Sequence, residues 1–305
     1  MIVGAAKSGT TSLLRYLGAH PRVRVPARVE FTGFDPQLSP AHRARELTDF
    51  LEQSTGHLTL VKNAGAYNRP AEIDLILEHN PACRLILILR DPVQRAHSLF
   101  RMASLQGQTQ STFSELIDQA LTLEAEGNTA DRRVDRYLTG GRYADRCRDL
   151  FARCEREQIA ILLLDAFQRD PTGHYRGLCE WLGLETGFLP DFSARARVGG
   201  DVRSALLARG LQRVRSEKNP AKRTAKRILP NGLYGRVSRL VRRANKRSGE
   251  AGTIDRLTES RLREYFAEPN EELAEMLGTE LEWSSSPAGD TLGSGDGRSP
   301  SRKLP

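Results

Sequence analysis

The chain has 305 residues, 39% hydrophobic and 28% charged, with a formal net charge of +8, long enough to bury a large core as one big domain or one domain with an appendage. No stretch approaches the roughly eighteen apolar residues of a membrane span, which argues against a helical membrane protein. Four cysteines (Cys83, Cys147, Cys154, Cys179) form no C-x-x-C pair, so reduced thiols in a cytosolic protein are expected rather than a zinc site or a disulfide framework.

The chain opens on an apolar run, Met1-Ile-Val-Gly4, expected as a strand over 1–4. The small-residue loop Ala5-Ala-Lys7-Ser8-Gly9 follows, and then a helix over 10–19. Strand, loop, helix is an arrangement that aims backbone N–H groups and a helix dipole at a phosphate. Gly4 and Gly9 match the glycines of G-x-x-x-x-G-K-[ST], but Thr10 occupies the lysine position and the lysine, Lys7, stands inside the loop. An ordinary NTPase needs its lysine on the β- and γ-phosphates beside a Mg²⁺-binding hydroxyl. Lys7, three residues earlier, reaches a group attached to the first phosphate. Taken alone, the loop leaves a nucleotide kinase open.

Strands are expected next over 22–25 and 57–62, and helices over 41–54 and 70–79. Arg84-Leu-Ile-Leu-Ile-Leu-Arg90 is continuously apolar between its arginines and too short for a core helix, so it reads as a buried strand over 84–90. Asp91-Pro92 then starts a helix over 92–106, with proline early, where its missing N–H costs nothing. Arg90 at a strand end and Ser98 two turns into this helix can converge on one phosphate, for which the planar arginine fork is suited. Further helices are expected over 112–125, 130–156, 171–182 and 255–281, with Gly141-Arg-Tyr143 opening a helix, and a buried strand over 158–164. Cys147 and Cys154, seven apart, are expected on one helix face. Buried strands alternating with helices imply an α/β fold: a P-loop-like, mostly parallel sheet flanked by helices on both faces. Ligands of such sheets bind beyond the carboxyl ends of the strands, where both phosphate segments and Glu30 would lie.

Two segments carry a family resemblance. Lys7-Ser8-Gly9-Thr10-Thr11-Ser12 resembles the 5′-phosphosulfate loop of sulfotransferases that use 3′-phosphoadenosine-5′-phosphosulfate (PAPS). Arg90-Asp-Pro-Val-Gln-Arg95-Ala-His-Ser98 resembles their 3′-phosphate segment, R-x-P-x-x-R-x-x-S. The resemblance is closest to the branch that includes heparan sulfate sulfotransferases and many bacterial enzymes. Supporting matches are His20-Pro21, Glu30-Phe-Thr-Gly-Phe34, Lys62-Asn-Ala-Gly-Ala-Tyr67, Trp181-Leu-Gly-Leu184 and the stretch from Leu262 to Trp283. Departures are Ala6 for the usual proline before the lysine, Val29 for the lysine before the glutamate, Gly33 where an aromatic is common, and Arg101-Met102 where the heparan branch often has a histidine.

The resemblance implies in-line, metal-independent transfer of the sulfuryl group of PAPS to a hydroxyl or amine of a glycan, lipid or secondary metabolite, leaving 3′-phosphoadenosine-5′-phosphate (PAP). Lys7 and the residues Ser8, Gly9, Thr10, Thr11 and Ser12 would bind the 5′ side, with Arg90 and Ser98 on the 3′-phosphate. Glu30 would be the general base. Lys62 would support the sulfuryl oxygens or orient Glu30. His97 reads as a helix-face residue. The absence of the membrane anchor carried by eukaryotic Golgi members fits a bacterial cytoplasmic enzyme.

The positive charge is local. Residues 201–247 contain fifteen Lys and Arg against two acidic residues, a net of +13, leaving −5 for the rest. This segment is a solvated face, a helical flap or insertion over the nucleotide, or a polyanion-binding surface; with Tyr234 its single aromatic, it lacks the interleaved rings of a nucleic-acid stacking platform, and no specific nucleic acid is expected. The Ser/Gly/Pro-rich residues 284–305 are expected to be disordered, which leaves 1–283 as the sulfotransferase domain. Three function classes stand at this point: the sulfotransferase, an ATP-dependent small-molecule kinase with an altered phosphate loop, and a non-catalytic polyanion-binding protein.

Overall fold

The computed structural model describes residues 1–26, 30–51, 57–193, 201–202, 246–247 and 253–284, with the side chains of 49–51 left aside. The expected tail, nearly all of the basic segment with its expected helices, and Val29 lie outside the described residues. The chain divides into two compact units: Met1–Arg95, Arg142–Ala196 and Phe266–Pro305 form the first, and Ala96–Gly141 with Arg197–Tyr265 the second.

The first unit is built on a sheet of three parallel strands, β1 (Ile2–Gly4), β4 (Leu85–Leu89) and β5 (Ile159–Leu163), in the order β1-β4-β5. A second parallel pair, β2 (Val23–Arg24) and β3 (Leu58–Thr59), lies beside it in sequence order. The expected strand over 57–62 changes partner midway. Leu60 N–H still bonds to Arg24 O at 2.8 Å, but Val61–Asn63 joins the open edge of β1: Ile2 N–H donates to Val61 O at 2.8 Å and Asn63 N–H to Ile2 O at 3.0 Å. The short strands and the switch between them deliver Lys62 to the edge of the main sheet.

Side chains of a strand alternate between faces, and here the alternation divides the core in two. Val3, Leu85, Leu87, Leu89 and Ile159 face one layer with Tyr67, Ile73, Ile76, Tyr143, Leu150 and Leu273. Ile2, Ile86, Ile88, Ala160 and Leu162 face the other with Leu13, Leu17, Phe167, Tyr175 and Leu178. The first layer is covered by α3 (Pro70–His79), α7 (Tyr143–Phe151) and the end of α10 (Arg256–Leu277); the second by α1 (Thr10–Gly18), α8 (Leu164–Arg169) and α9 (Pro171–Leu182). The continuously apolar β4 is fully buried because it is covered on both sides. The chain therefore has the expected α/β architecture.

Three expectations are corrected. The single helix over 130–156 is broken into α6 (Arg132–Tyr137), a 3₁₀ turn at Thr139–Gly141, and α7; the paired Gly140 and Gly141 favour no helix interior, and α7 opens at Tyr143 with Arg142 as its N-cap, where Gly141-Arg-Tyr143 is expected to open a helix. Because α7 ends at Phe151, Cys154 lies beyond it and shares no helix face with the buried Cys147. Finally, Leu164, taken as a strand end, starts the short helix α8. The remaining first-unit helix, α2 (Pro40–Leu51), and the helix α4 (Pro92–Leu105) follow the expected pattern to within a few residues.

In the second unit α5 (Phe113–Ala125) starts on a capping box: Thr112 Oγ1 accepts from Glu115 N–H at 3.2 Å and Glu115 returns a bond to Thr112 N–H at 2.8 Å. Asp131 caps α6 and pairs with Arg133, whose hydrogen bonds hold its carboxyl down to about 2. Strands β6 (Asp201–Val202) and β7 (Lys246–Arg247) pair antiparallel.

Candidate active site

The carboxyl ends of the parallel strands converge on one edge of the first unit. Beyond β1 the loop Ala5–Gly9 runs into α1. Gly4 is required by packing: a Cβ there would meet Tyr67 Cδ1, 2.7 Å from Tyr67 Cγ and 2.8 Å from Leu87 Cδ1. Lys7 and Gly9 both have positive φ, 75° and 92°. For lysine that region is strained, so the loop holds Lys7 in a backbone conformation that the surrounding turn imposes. Gly9 is the N-cap of α1 and no side chain caps the helix. The first amides of α1, at Thr10 and Thr11, have no intrahelical acceptor by geometry. Ser8 is wholly buried, its Oγ beside the Tyr143 hydroxyl but in no well-formed hydrogen bond. An uncapped helix end with a buried, unsatisfied hydroxyl and a loop lysine is a cradle for an anion.

Arg90 follows β4, half-buried, and its Nη1 donates to Lys7 O at 3.4 Å. Asp91 caps the helix after it, accepting from Val93 N–H at 2.8 Å. The Tyr143 hydroxyl donates to Arg90 O at 2.9 Å, and burial pushes the Tyr143 phenol well above its ordinary value. Thus the backbone at Arg90 is held from α7. Asp165, on the first turn of α8 beyond β5, lies near the same arginine: burial raises its carboxyl and the Arg90 guanidinium pulls it back. The sequence does not show Tyr143 and Asp165 as neighbours of Arg90, since each is distant in chain; Gly141-Arg-Tyr143 marks only a helix start, and Asp165 carries no motif. Ser98 is half-buried on α4 and belongs to the second unit. There His97 packs on Phe113 at 5.1 Å and Phe100 at 6.3 Å between ring centres, the helix-face role expected of it.

Glu30 and Lys62 meet. Lys62 Nζ, whose side chain is 1% exposed, donates to Glu30 Oε1 in an ion pair, and Ala64 N–H donates to Glu30 Oε2 at 3.2 Å. Phe31 N–H donates to Lys62 O at 2.8 Å, joining the two segments by their backbones. The carboxylate is 52% exposed, anchored at its base and open to solvent at its edge. At Gly33, the departure from the aromatic common in the resembled family, Phe31 takes the space: a Cβ at Gly33 would stand 2.8 Å from Phe31 Cε1. His20, in the His20-Pro21 match, has a structural place: Nδ1 accepts from Arg22 N–H at 3.1 Å, so Nε2 is the donor to Glu185 O at 3.1 Å.

The groups gathered at this edge can bind an anionic ester, stabilise charge growing on it, and take a proton from a nucleophile. Their donor set fits a nucleotide carrying a sulfated 5′-phosphate: among the described residues no side chain caps α1, and the Arg90 guanidinium donates to the backbone carbonyl of Lys7.

Comparisons with known proteins agree with that geometry. Two curated relatives are bifunctional heparan sulfate N-deacetylase/N-sulfotransferase 1 proteins. The one from Caenorhabditis briggsae is 24% identical over 194 residues, and the one from Caenorhabditis elegans 23% identical over 191; each match covers 60% of this chain. The match spans only 22% of the length of these relatives. Among solved structures, a sulfotransferase from Alicyclobacillus acidocaldarius superposes with a TM-score of 0.63 at 20% identity, covering 93% of this chain and 97% of that one, and so shares the fold. Residues 1–194, which contain the Lys7 loop, the Glu30–Lys62 pair and Arg90, match the sulfotransferase domain family, to which the chain therefore belongs.

Proposed function

We propose that the chain is a PAPS-dependent sulfotransferase that sulfates a hydroxyl or amine of a glycan, lipid or secondary metabolite without a metal ion and releases PAP. The observation that carries the reading is the meeting, at one sheet edge, of an uncapped phosphate loop bearing Lys7, the Arg90 guanidinium and the Glu30–Lys62 pair. PAPS, when bound, supplies the sulfuryl group and the phosphate oxygen it leaves. Lys7, with the amides and hydroxyls of Ser8, Gly9, Thr10, Thr11 and Ser12, meets the charge that grows on that oxygen. Arg90 takes the 3′-phosphate, and Ser98 keeps the role that its spacing from Arg90 in the sequence gives it. Glu30 removes the acceptor proton, a step worth roughly 10²–10⁴-fold. Lys62, buried and paired, orients Glu30. The relatives' names add N-sulfation, which keeps an amine among the acceptors. We assign the activity to residues 1–283 and the enzyme to the cytoplasm; all four cysteines are free thiols, and no helix among the described residues is long and apolar enough to cross a membrane.

The test is calorimetric binding of PAP with the metal chelated, for wild type, Lys7→Ala and Arg90→Ala, with ATP as competitor. Tight binding that prefers the 3′-phosphorylated nucleotide and collapses in Arg90→Ala supports the assignment. Preference for Mg·ATP would overturn it in favour of a kinase.

A further inference from the structure

Glu72 is a carboxylate with no exposed surface, set in the first turn of α3 behind the site, and nothing in the reaction uses it directly. Its Oε1 accepts from Asn63 Nδ2 at 2.6 Å, and its Oε2 lies 2.7 Å from Arg69 Nη2. Arg69 in turn places Nη1 3.5 Å from Asp35 Oδ2. A charge is buried at this cost only where it is paired and hydrogen-bonded, and the group it holds best is Asn63.

Asn63 is a junction. Its N–H donates to Ile2 O at 3.0 Å, its carbonyl accepts from Ala66 N–H at 3.1 Å, and its Oδ1 accepts from Gly65 N–H at 3.2 Å. The residues on either side of it are the two that hold Glu30: Lys62 through its ammonium and Ala64 through its N–H. The turn that presents both contacts is thus folded around the Asn63 side chain, and that side chain is clamped by Glu72.

We propose that Glu72, acting through Asn63, is a positioning residue for the Glu30–Lys62 pair. The inference rests on the reading of Glu30 as the base. A short buried hydrogen bond such as that from Asn63 to Glu72 Oε1 restrains the group it holds, and a displacement of about 1 Å in a reacting group can cost about a hundredfold in rate. Glutamate suits the place because Oε1 accepts from Asn63 while Oε2 sets a negative charge against the Arg69 guanidinium; glutamine keeps one acceptor oxygen for Asn63 and turns an amino group toward Arg69.

The experiment follows the Ala64 backbone amide by NMR across the carboxylate pH range in the full chain. In wild type its shift moves across this range, and Glu30→Gln removes the response. Asn63→Ala and Glu72→Ala are expected to lose the response while the Phe31 amide stays protected from exchange, with Glu72→Gln restoring part of it. PAP binding is unchanged in these variants, and release of PAP from PAPS, with water as acceptor, falls about a hundredfold. A retained Ala64 response in Asn63→Ala overturns the proposal, as does loss of the response only together with Phe31 protection and PAP binding. Should Glu72→Ala not fold, Asn63→Ala and Glu72→Gln decide. Should wild type fail to bind PAP, the sulfotransferase reading falls, while the Ala64 titration still decides whether Glu72 positions Glu30.

Discussion

Arg90 Nη1 donates to the backbone carbonyl of Lys7 at 3.4 Å, joining two segments 83 residues apart in the chain. The loop that carries Lys7 and the strand end that carries Arg90 are therefore parts of one contact set. A change at Arg90 reaches the loop as well as its own position.

The close packing behind the loop gives a first prediction. Gly4→Ala pushes a methyl group into the Tyr67 ring and Leu87, with an expected loss of about 1–3 kcal/mol, as for other overpacked cores. Gly9→Ala adds the strain of a left-handed backbone, about 1–2 kcal/mol, and a Cβ 3.0 Å from Leu164 Cδ1. Denaturant unfolding with PAP titration checks both: each variant is less stable, and Gly9→Ala also binds PAP more weakly because the cap of α1 moves.

Removing either partner of the Glu30–Lys62 pair lowers turnover, but stability responds in opposite directions. Glu30→Gln leaves the buried ammonium without its counter-charge and costs about 1–3 kcal/mol. Lys62→Met fills the same space without a charge and leaves a glutamate that is already half in water, so stability is unchanged or higher. Paired measurement of thermal unfolding and PAP release checks the contrast; equal destabilisation by both would show that the pair is held by something else.

Glu72 confers a pH dependence. Burial raises its carboxyl above the ordinary value of 4.5, with the Arg69 guanidinium and the Asn63 amide opposing. The folded state then binds this proton more tightly than the unfolded chain, so unfolding releases it and stability falls as pH rises from the ordinary carboxylate value through the raised one. Glu72→Gln should flatten that decline. Unfolding free energies of the two proteins across the acidic range measure it, and parallel curves would refute the assignment to Glu72.

The thiols should differ in reactivity. Cys147 has no exposed surface and burial pushes its thiol up to about 12, while Cys83 and Cys154 are partly exposed. Thiolate is the reactive form, so an alkylating reagent under native conditions modifies Cys83 before Cys147, and Cys147 reacts only on unfolding. Mass spectrometry of timed samples reads the order directly.

Much of the fold was legible because its signals are local. β4, Leu85–Leu89, is an unbroken apolar run between Arg84 and Arg90, and α3 begins at a proline and ends at His79 as its pattern implies. The misread helix over 130–156 had helix-forming residues on either side, but Gly140-Gly141 broke it, as the low helix propensity of two adjacent glycines favours. The strand over 57–62 was read correctly as extended chain; its change of partner from β2 to β1 depends on which edge lies nearby, which no window of residues contains.

By itself the sequence determined the strand–loop–helix that carries Lys7, the buried strand that ends at Arg90, and the family, because each rests on residue types at short, fixed spacings. Tertiary structure alone decided that Lys62 meets Glu30, that Tyr143 and Asp165 flank Arg90, and that Asn63 is clamped by Glu72. Those contacts join different elements, and they exist only once the packing of α3, α7 and α8 against the sheet has excluded water and left each polar group the partners it must have.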